Sequence, residues 1–294
     1  MKFNRVGLVV NYEKEKTRET ACKIIDWLNS NKLKVCIEGN MGQAIGKKEL
    51  NCPTNQFLKE VDLIISLGGD GTLLRAARIT ASEGIPIFGV NLGGLGFLTQ
   101  IGINDLEKSL EKLYQEKYFL DERMMLNCSV ERRGKEIKKF TALNDVVIGK
   151  GAFARIIGLA TYVNNNYVIT YSADGLVVST STGSTAYSLS AGGPIVNPSI
   201  NCIILTPICP HTLSARPFII SEDDQVKITL EVSEEEVMVT IDGQEGFVLR
   251  PNDEVIIKKS EDEARLITFK EKSFYDILRE KLRWSGQIEW VIFS

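Results

Sequence analysis

Leu67-Gly68-Gly69-Asp70-Gly71-Thr72 sets the architecture of this chain. It follows an apolar run at 61–66 that is short and rich in β-branched residues, which predicts a buried parallel strand. Good helix formers follow from Leu73 to Ile79. We therefore expect a strand-to-helix turn at the carboxyl end of a strand, where open α/β sheets bind their ligands.

Glycines make this turn able to take positive φ angles and to let a ligand approach its backbone closely. The first N–H groups of a helix lack helical partners and suit phosphate oxygens. We therefore expect Gly68, Gly69, Gly71 and Thr72 to cradle phosphates. The carboxylate of Asp70 would repel a phosphate, which indicates chemistry or metal handling at this residue. A structural Asp-Gly turn is the alternative, and no Gly-Lys-Ser/Thr follows at the spacing of a Walker loop.

The composition is that of an ordinary globular protein. The chain has 294 residues, of which 44% are hydrophobic and 25% charged, and this length predicts about two domains. A net charge of −3 disfavours nucleic acid as the main partner, and no apolar run is long enough to span a membrane. The N-terminus lacks a signal peptide's apolar core, and the six cysteines form no C-x-x-C pair, so we expect a cytoplasmic protein with reduced thiols. A histidine-based zinc site or triad is not expected, because His211 is the only histidine.

Residues 1–118 alternate predicted strands and helices, which indicates a Rossmann-like α/β domain with a parallel sheet. The strands are expected at Val6–Val10, Leu33–Ile37, Val61–Leu67 and Pro86–Val90, and the helices at 21–28, 73–79 and 105–117. Residues 39–56 contain several glycines and predict a mobile loop with one short helix. A second glycine-rich turn, Asn91 to Leu98, ends the last of these strands. It could face the first turn across a crevice or be purely structural.

Short alternating segments replace this pattern from about residue 120 and predict an all-β domain, a sandwich of two sheets, over 119–265. Hairpins are expected at 124–143 and 155–172, and further strands at 225–232, 236–241 and 254–258. Helical spacing returns from Ser273 to Trp284. The segment 266–294 is therefore predicted to pack back on the α/β domain.

Two clusters in the β domain could bind a ligand. Asn144 and Asp145 place an amide and a carboxylate side by side, where only one could face a site in a regular strand. The amide suits an adenine edge or sugar hydroxyls, and a structural Asx-turn is the alternative. The loop from Ser179 to Pro194 is rich in hydroxyl groups and contains Tyr187, on which a base could stack. It predicts a neutral, polar ligand surface, whereas a flexible linker or glycosylated segment fits its apolar flank poorly.

These motifs, in this order, resemble those of the bacterial NAD kinases over essentially the whole chain. The resemblance includes Asp242-Gly243-Gln244, which by itself predicts a hairpin turn, and the closing segment Phe274 to Trp284. The glycine-aspartate motif is shared with diacylglycerol, sphingosine and phosphofructokinase-type kinases. The loop at 182–188 is much more specific to NAD kinases.

The resemblance implies transfer of a phosphoryl group from ATP, or from polyphosphate, to the 2′-hydroxyl of the adenosine ribose of NAD, giving NADP. It implies Asp70 as the proton acceptor and a divalent cation, Mg²⁺, accompanying ATP. No side chain is assigned to hold a metal. The positions that match NAD contacts are Asp70, Gly71, Arg75, Asn144, Asp145, Arg155, Asp174, Thr185, Ala186, Tyr187, Ser188, Leu189, Ser190 and Gln244. Members of the family are homodimers or homotetramers, so a second copy of the chain is an expected partner, and nucleic acid and membranes are not.

Two functions of other classes stay open at this point. A lipid kinase of the diacylglycerol type would share the glycine-aspartate turn, and it should show a large apolar acceptor pocket or a membrane-binding face. A non-catalytic dinucleotide-binding module would keep the phosphate cradle without turnover. Formation of NADP from ATP, Mg²⁺ and NAD distinguishes all three.

Overall fold

The structure is a computed structural model that describes residues 3–12, 16–94, 96–99, 101–151, 155–231 and 236–284. These residues fall into two compact units. The first unit contains the described residues of 1–76, 85–121 and 266–294, and the second contains those of 77–84 and 122–265. Both units are therefore discontinuous in the sequence.

The first unit is built on a parallel sheet. Its strands are β1 Arg5–Val10, β2 Lys34–Glu38, β3 Asn51–Cys52, β4 Leu63–Gly68, β5 Ile87–Asn91 and β6 Ile101–Gly102. They pair in the order β3-β2-β1-β4-β5, all parallel, with β6 beside β5. Because the strand order reverses direction between β1 and β4, the carboxyl ends of these two strands mark the switch point at which such sheets bind ligands.

Helices connect these strands. They are α1 Thr17–Ser30, α2 Met41–Ile45, α3 Thr54–Glu60, α4 Asp70–Thr80 and α5 Leu106–Tyr114. Helix α1 buries Ala21, Ile24 and Leu28 on one face, as their spacing predicts. Strands β4 and β5 are buried along their whole length, as in a sheet covered on both faces. In the part of the chain that the structure describes, every helix is too short or too polar to cross a membrane.

The prediction for residues 39–56 is wrong. In place of a loop with one helix, the chain forms α2, a 3₁₀ turn at Lys48–Leu50, strand β3 and the start of α3. The N–H of Gly42 donates to Oδ1 of Asn51 at 2.8 Å and helps to close this segment. Strand β3 pairs through two residues only, so it is too short for an apolar alternation to predict it.

The second unit is an antiparallel sandwich. Its strands are β7 Phe119–Arg132, β8 Lys135–Ala142, β9 Asp145–Lys150, β10 Ile157–Val163, β11 Asn166–Ala173, β12 Gly175–Thr180, β13 Cys202–Ile208, β14 Phe218–Ser221, β15 Val226–Leu230, β16 Val237–Ile241, β17 Glu245–Leu249 and β18 Glu254–Thr268, with a short helix α6 at Tyr187–Ser190. One sheet has the order β14-β13-β12-β9-β16-β17. The other runs β11-β10-β15-β18, with β7 beside β18 and β8 beside β7. Side chains from both sheets, such as Ile148 and Leu159, share one buried core, which confirms the predicted sandwich.

The chain returns to the first unit at the end of β18, from Leu266 onwards. Helix α7, Phe274–Leu282, begins with a capping box in which Ser273 and Asp276 each accept the backbone N–H of the other. Just before it, the ring of Phe269 packs edge-on against Phe88, with centroids 6.0 Å apart. The predicted return of the terminal helix to the α/β domain is therefore confirmed.

Candidate active site

Asp70 is the first residue of α4, and its carboxylate binds the second glycine-rich turn. Oδ2 accepts the N–H of Phe97 at 2.8 Å. Oδ1 accepts the N–H of Leu98 at 3.2 Å, and both the N–H and the hydroxyl of Thr99 at 2.9 and 2.8 Å. The two predicted glycine-rich turns thus meet at this carboxylate. Because Oδ2 takes a single bond from the residues that the structure describes, it keeps an acceptor position for a ligand hydroxyl.

Glycines permit the close approach of the two turns. A Cβ on Gly96 would overlap the carboxylate, and one on Gly68 would overlap the hydroxyl of Thr72. Gly71 is exposed at the start of the helix, as a backbone that binds phosphate requires. The prediction of unpaired N–H groups is wrong for Thr72, whose N–H donates to the carbonyl of Gly69 at 3.0 Å.

Arg75 lies further along α4 and is held by a buried carboxylate. Its Nη2 pairs with Oε2 of Glu38, which ends β2 and whose other oxygen accepts the hydroxyl of Thr54 at 2.8 Å. The buried carboxylate of Glu38 therefore fixes the orientation of the Arg75 guanidinium through a charge-assisted hydrogen bond. Sequence reasoning missed Glu38. An acidic residue at the carboxyl end of an otherwise apolar buried strand is the signal that would have found it.

In the second unit, Asn144 lies in a bend directly before β9, and Asp145 begins that strand. Both are buried, with 8% and 4% of their surface exposed. Oδ1 of Asn144 has no hydrogen-bond partner among the described residues. Burial, with a smaller contribution from the charge of Asp242, raises the pKa of Asp145 to about 7. Since Asn144 precedes the strand, the side-chain alternation of a regular strand does not place the two on opposite faces.

Asp242 and Gln244 lie in the turn between β16 and β17, where a hairpin was predicted. The carboxylate of Asp242 accepts N–H groups of the bend before β9 and pairs with Arg78 at 3.2 Å. Arg78 also donates to Oε1 of Gln244 at 2.8 Å. Burial raises the pKa of Asp242, and the three N–H bonds and Arg78 oppose that rise. The residue pattern alone indicated only a turn at Asp242, the family resemblance added Gln244 as an NAD contact, and Arg78 was missed. The contacts of Asp242 and Arg78 depend on partners distant in the sequence.

The hydroxyl-rich loop is folded largely inward. Its buried hydroxyl residues are Ser179, Thr180, Ser181, Thr182, Ser184 and Ser188. Thr180 Oγ1 donates to the carbonyl of Leu143 at 2.7 Å, and the hydroxyls of Ser188 and Thr206 lie 2.9 Å apart. These side chains are buried and so do not form the predicted ligand surface. The hydroxyls of Thr180, Ser184 and Ser188 bond within the protein, whereas that of Ser179 has no partner among the described residues.

Solvent reaches this loop from residue 185 onwards, except at Ser188 and Gly193. Tyr187 and Ser190 are exposed, and Thr185, Ala186 and Leu189 are partly exposed. The ring of Tyr187, 46% exposed, is free to meet a planar ligand.

Two further predicted residues lie at other positions of the second unit. Asp174, directly before β12, pairs with Nζ of Lys150 at 2.8 Å. Arg155 is exposed and follows residues 152–154, which lie outside the described part of the chain. Both are charged groups within reach of solvent, unlike the buried acceptors at Asn144 and Asp145.

A carboxylate in a glycine-rich turn at the switch point of a parallel sheet, with no Walker lysine, is typical of one class of phosphoryl-transfer enzymes that handle nucleotides. The chain belongs to the ATP-NAD kinase family. The profile of the ATP-NAD kinase N-terminal domain matches residues 6–118, and that of the C-terminal domain matches residues 143–269.

Known proteins resemble the chain over nearly its full length. An NAD kinase of Thermoanaerobacter sp. (strain X514) is 45% identical over 280 residues, which are 95% of this chain and 99% of that protein. An NAD kinase of Moorella thermoacetica is 46% identical over 284 residues, covering 97% and 91%. The crystal structure of yeast NADH kinase complexed with NADH matches with a TM-score of 0.89 at 25% identity, covering 99% of this chain and 90% of that one. An NAD kinase from Archaeoglobus fulgidus in complex with ATP matches at 0.76 and 29% identity, covering 96% and 100%.

Proposed function

We propose that this protein is an NAD kinase, which transfers a phosphoryl group from ATP to the 2′-hydroxyl of the adenosine ribose of NAD and so forms NADP. The observation that carries the proposal is the buried Oδ1 of Asn144, which has no hydrogen-bond partner among the described residues and lies beside the buried carboxyl group of Asp145 in a chain of this family. Buried polar atoms are normally paired, so the amide oxygen of Asn144 favours a ligand that donates a hydrogen bond. The ribose hydroxyls and the adenine amino group of NAD are such donors.

Asp70 is the proton acceptor in this proposal. A ribose hydroxyl is a far weaker acid than a carboxyl group, so the proton moves to the carboxylate as the new bond to phosphorus forms. The bond from that phosphorus to the leaving ADP oxygen breaks in the same transfer. Oδ2 suits this role because it accepts one N–H, whereas Oδ1 accepts three donors.

The phosphates of the donor would lie against the backbone of the glycine turn. Helix α4 adds its N-terminal partial positive charge at this point. No three Asp, Glu, His or Cys side chains cluster to hold a metal ion among the residues described. Mg²⁺ keeps phosphate oxygens and water as most of its ligands, so a cation brought by ATP fits this donor set. When bound, it would neutralise charge on the phosphate oxygens.

The remaining roles follow the positions matched by the family. Tyr187 would stack on a base, and Gln244, oriented by Arg78, would hydrogen-bond to NAD. Arg75, fixed by Glu38, supplies a positive charge near the glycine turn at the start of its own helix. We also infer a cytoplasmic location, which the free state of all six cysteines supports.

The test is a coupled assay on the full chain. With ATP, Mg²⁺ and NAD we expect NADP, detected by a dehydrogenase specific for that product. Parallel reactions replace NAD with NADH, ATP with polyphosphate, and NAD with diacylglycerol in detergent micelles. Phosphorylation of the lipid alone would show a lipid kinase, and NAD binding without turnover would show a non-catalytic module.

A further inference from the structure

The Asp242 carboxylate makes four hydrogen bonds in the second unit although none of its surface is exposed. Oδ1 accepts the N–H of Asn144 at 2.8 Å and that of Asp145 at 3.1 Å. Oδ2 accepts the N–H of Leu143 at 3.1 Å and Nη1 of Arg78 at 3.2 Å. Three consecutive backbone groups of the bend before β9 are therefore tied to one side chain from a distant hairpin.

The guanidinium of Arg78 balances this buried charge and extends the same network. With 8% of its side chain exposed, it is itself nearly buried. Besides Asp242, it donates to Oε1 of Gln244 at 2.8 Å and lies 3.3 Å from Oε1 of Glu245. The orientation of the Gln244 amide is thus set by the same arginine that holds Asp242.

The hairpin turn does not explain this carboxylate. Asp242 and Gly243 have φ angles of 49° and 65°, as in a β-turn whose two central residues are both left-handed. Asn-Gly forms such a turn at least as readily as Asp-Gly. The turn therefore requires the backbone geometry, whereas the four hydrogen bonds require a group with two acceptor oxygens and a negative charge.

We propose that Asp242, held by Arg78, is a positioning residue for NAD binding. Its carboxylate fixes the backbone from Leu143 to Asp145, so that the side chains of Asn144 and Asp145 keep their acceptors turned to the ligand. Because the backbone from Leu143 to Asp145 is already fixed in the free protein, NAD binding does not have to pay the entropy of ordering it. The inference rests on the proposed function, since it assigns NAD as the ligand of this bend.

Asp242→Asn tests the proposal, because it preserves the turn and the side-chain shape but places an NH₂ group against donors. We expect the dissociation constant of NAD to rise about tenfold or more, since buried N–H groups lose their acceptor. The KM of ATP should stay within about twofold. Amide hydrogen exchange should accelerate at Leu143, Asn144 and Asp145.

Asp253→Asn is the matched control in the same unit. Asp253 is equally buried, binds Arg132 through both oxygens at 2.7 Å and accepts the N–H of Arg250 at 2.8 Å in another turn. Its amide variant should lose stability to a similar degree while NAD affinity stays within about twofold of wild type. Equal weakening of NAD binding by both variants, or unchanged binding in Asp242→Asn, would overturn the proposal.

Arg78→Gln decides the question if Asp242→Asn does not fold. It removes the charge that holds Asp242 and Gln244, and NAD binding should weaken about threefold or more, with partial recovery in Arg78→Lys. Unchanged binding in Arg78→Gln would contradict the inference. Failure of the proposed function can be distinguished from failure of this inference. If the proposed function is wrong, the wild-type protein binds no NAD. Amide exchange at 143–145 would still report whether Asp242 fixes the bend.

Discussion

Asp70 is bonded to the turn at 97–99 and is also the proposed proton acceptor, so one substitution affects both roles. In Asp70→Asn, an NH₂ group replaces one acceptor oxygen and the basic group is lost. We expect kcat per folded site to fall about 10²–10⁴-fold, the usual contribution of a general base. NAD affinity should change only about a few-fold. The melting temperature should fall as well, because the turn loses part of its anchor.

Thr99→Val separates the two effects. It removes the hydroxyl bond to Oδ1 of Asp70 and leaves the carboxylate in place. This variant should lose about 1–3 kcal/mol of stability, since Asn91 also loses its acceptor on Thr99. Its kcat should stay within about threefold of wild type. If Thr99→Val lost as much kcat as Asp70→Asn, the loss of activity in Asp70→Asn would be explained by the disturbed turn at 97–99 and not by the missing base.

Asp145 gives the protein a distinct response to pH. Its folded-state pKa of about 7 lies above the 3.8 of an unburied aspartate, so the folded state retains a proton that the unfolded state releases. Stability from this residue is therefore complete below about pH 4 and is lost as the pH rises towards 7. Asp145→Asn should raise the free energy of unfolding by about 1–3 kcal/mol at pH 7.5 and by much less at pH 4.5. Urea unfolding at the two pH values measures this, and an equal gain at both would contradict it.

At the scale of the elements, the hydroxyl-rich loop depends on a close contact of two backbones. A Cβ on Gly183 would overlap the carbonyl of Asn144 and come within 2.8 Å of its Cα. Because backbone atoms cannot yield as a side chain does, Gly183→Ala should cost about 2 kcal/mol or more of stability. Gly149→Ala, on β9 of the same unit, meets nothing nearer than 3.9 Å and serves as the control. Thermal unfolding of both variants checks this, and equal melting temperatures would refute it.

The sequence predicted those helices and strands whose formation depends on residues close together in the chain. Helix α1, strand β4 and the turn into α4 follow from apolar spacing, β-branched runs and glycines, all of which act within a few residues. Strand β3 was missed because two residues carry no period. Asn51 and Cys52 form a strand only through their pairing with Ile37 and Glu38 of β2, which a local pattern does not show.

Some residues of the candidate site could be recognised in the sequence, and others depend on partners distant in the chain. Asp70, Asn144 and Asp145 stand out by residue type and position in the sequence. The burial of Asp242 and Glu38, and the inward orientation of Ser188, depend on partners such as Arg78 and Thr206. Hydroxyl groups look the same in a sequence whether they meet a ligand or a buried carbonyl, so only the packed structure distinguishes these uses.

For the whole molecule, we expect self-association, as the resemblance to the family implies. Strand β11 ends one sheet and carries exposed Tyr167 and Val168, and such edges readily pair with another chain. Sedimentation velocity at micromolar concentration should show a dimer or tetramer. Val168→Lys should shift the distribution towards the monomer, with Lys139→Glu on β8 as a control on the opposite edge. A fully active monomer of the wild-type chain would contradict this expectation.

The discontinuity of the first unit has a consequence for how the chain is made. Leu266 pairs with Ile87 of β5, and Phe269 covers Phe88, yet a ribosome adds these residues only after the entire sandwich has been translated. Until then the edge of β5 is paired with β6 at Val90 and Asn91 but stays open at Ile87, and the ring of Phe88 lacks its contact with Phe269. A chain stopped a few dozen residues early would carry every residue of the proposed chemistry and still be unable to complete the sheet that supports Asp70. We therefore expect the first unit to complete its folding only after the second unit has been translated.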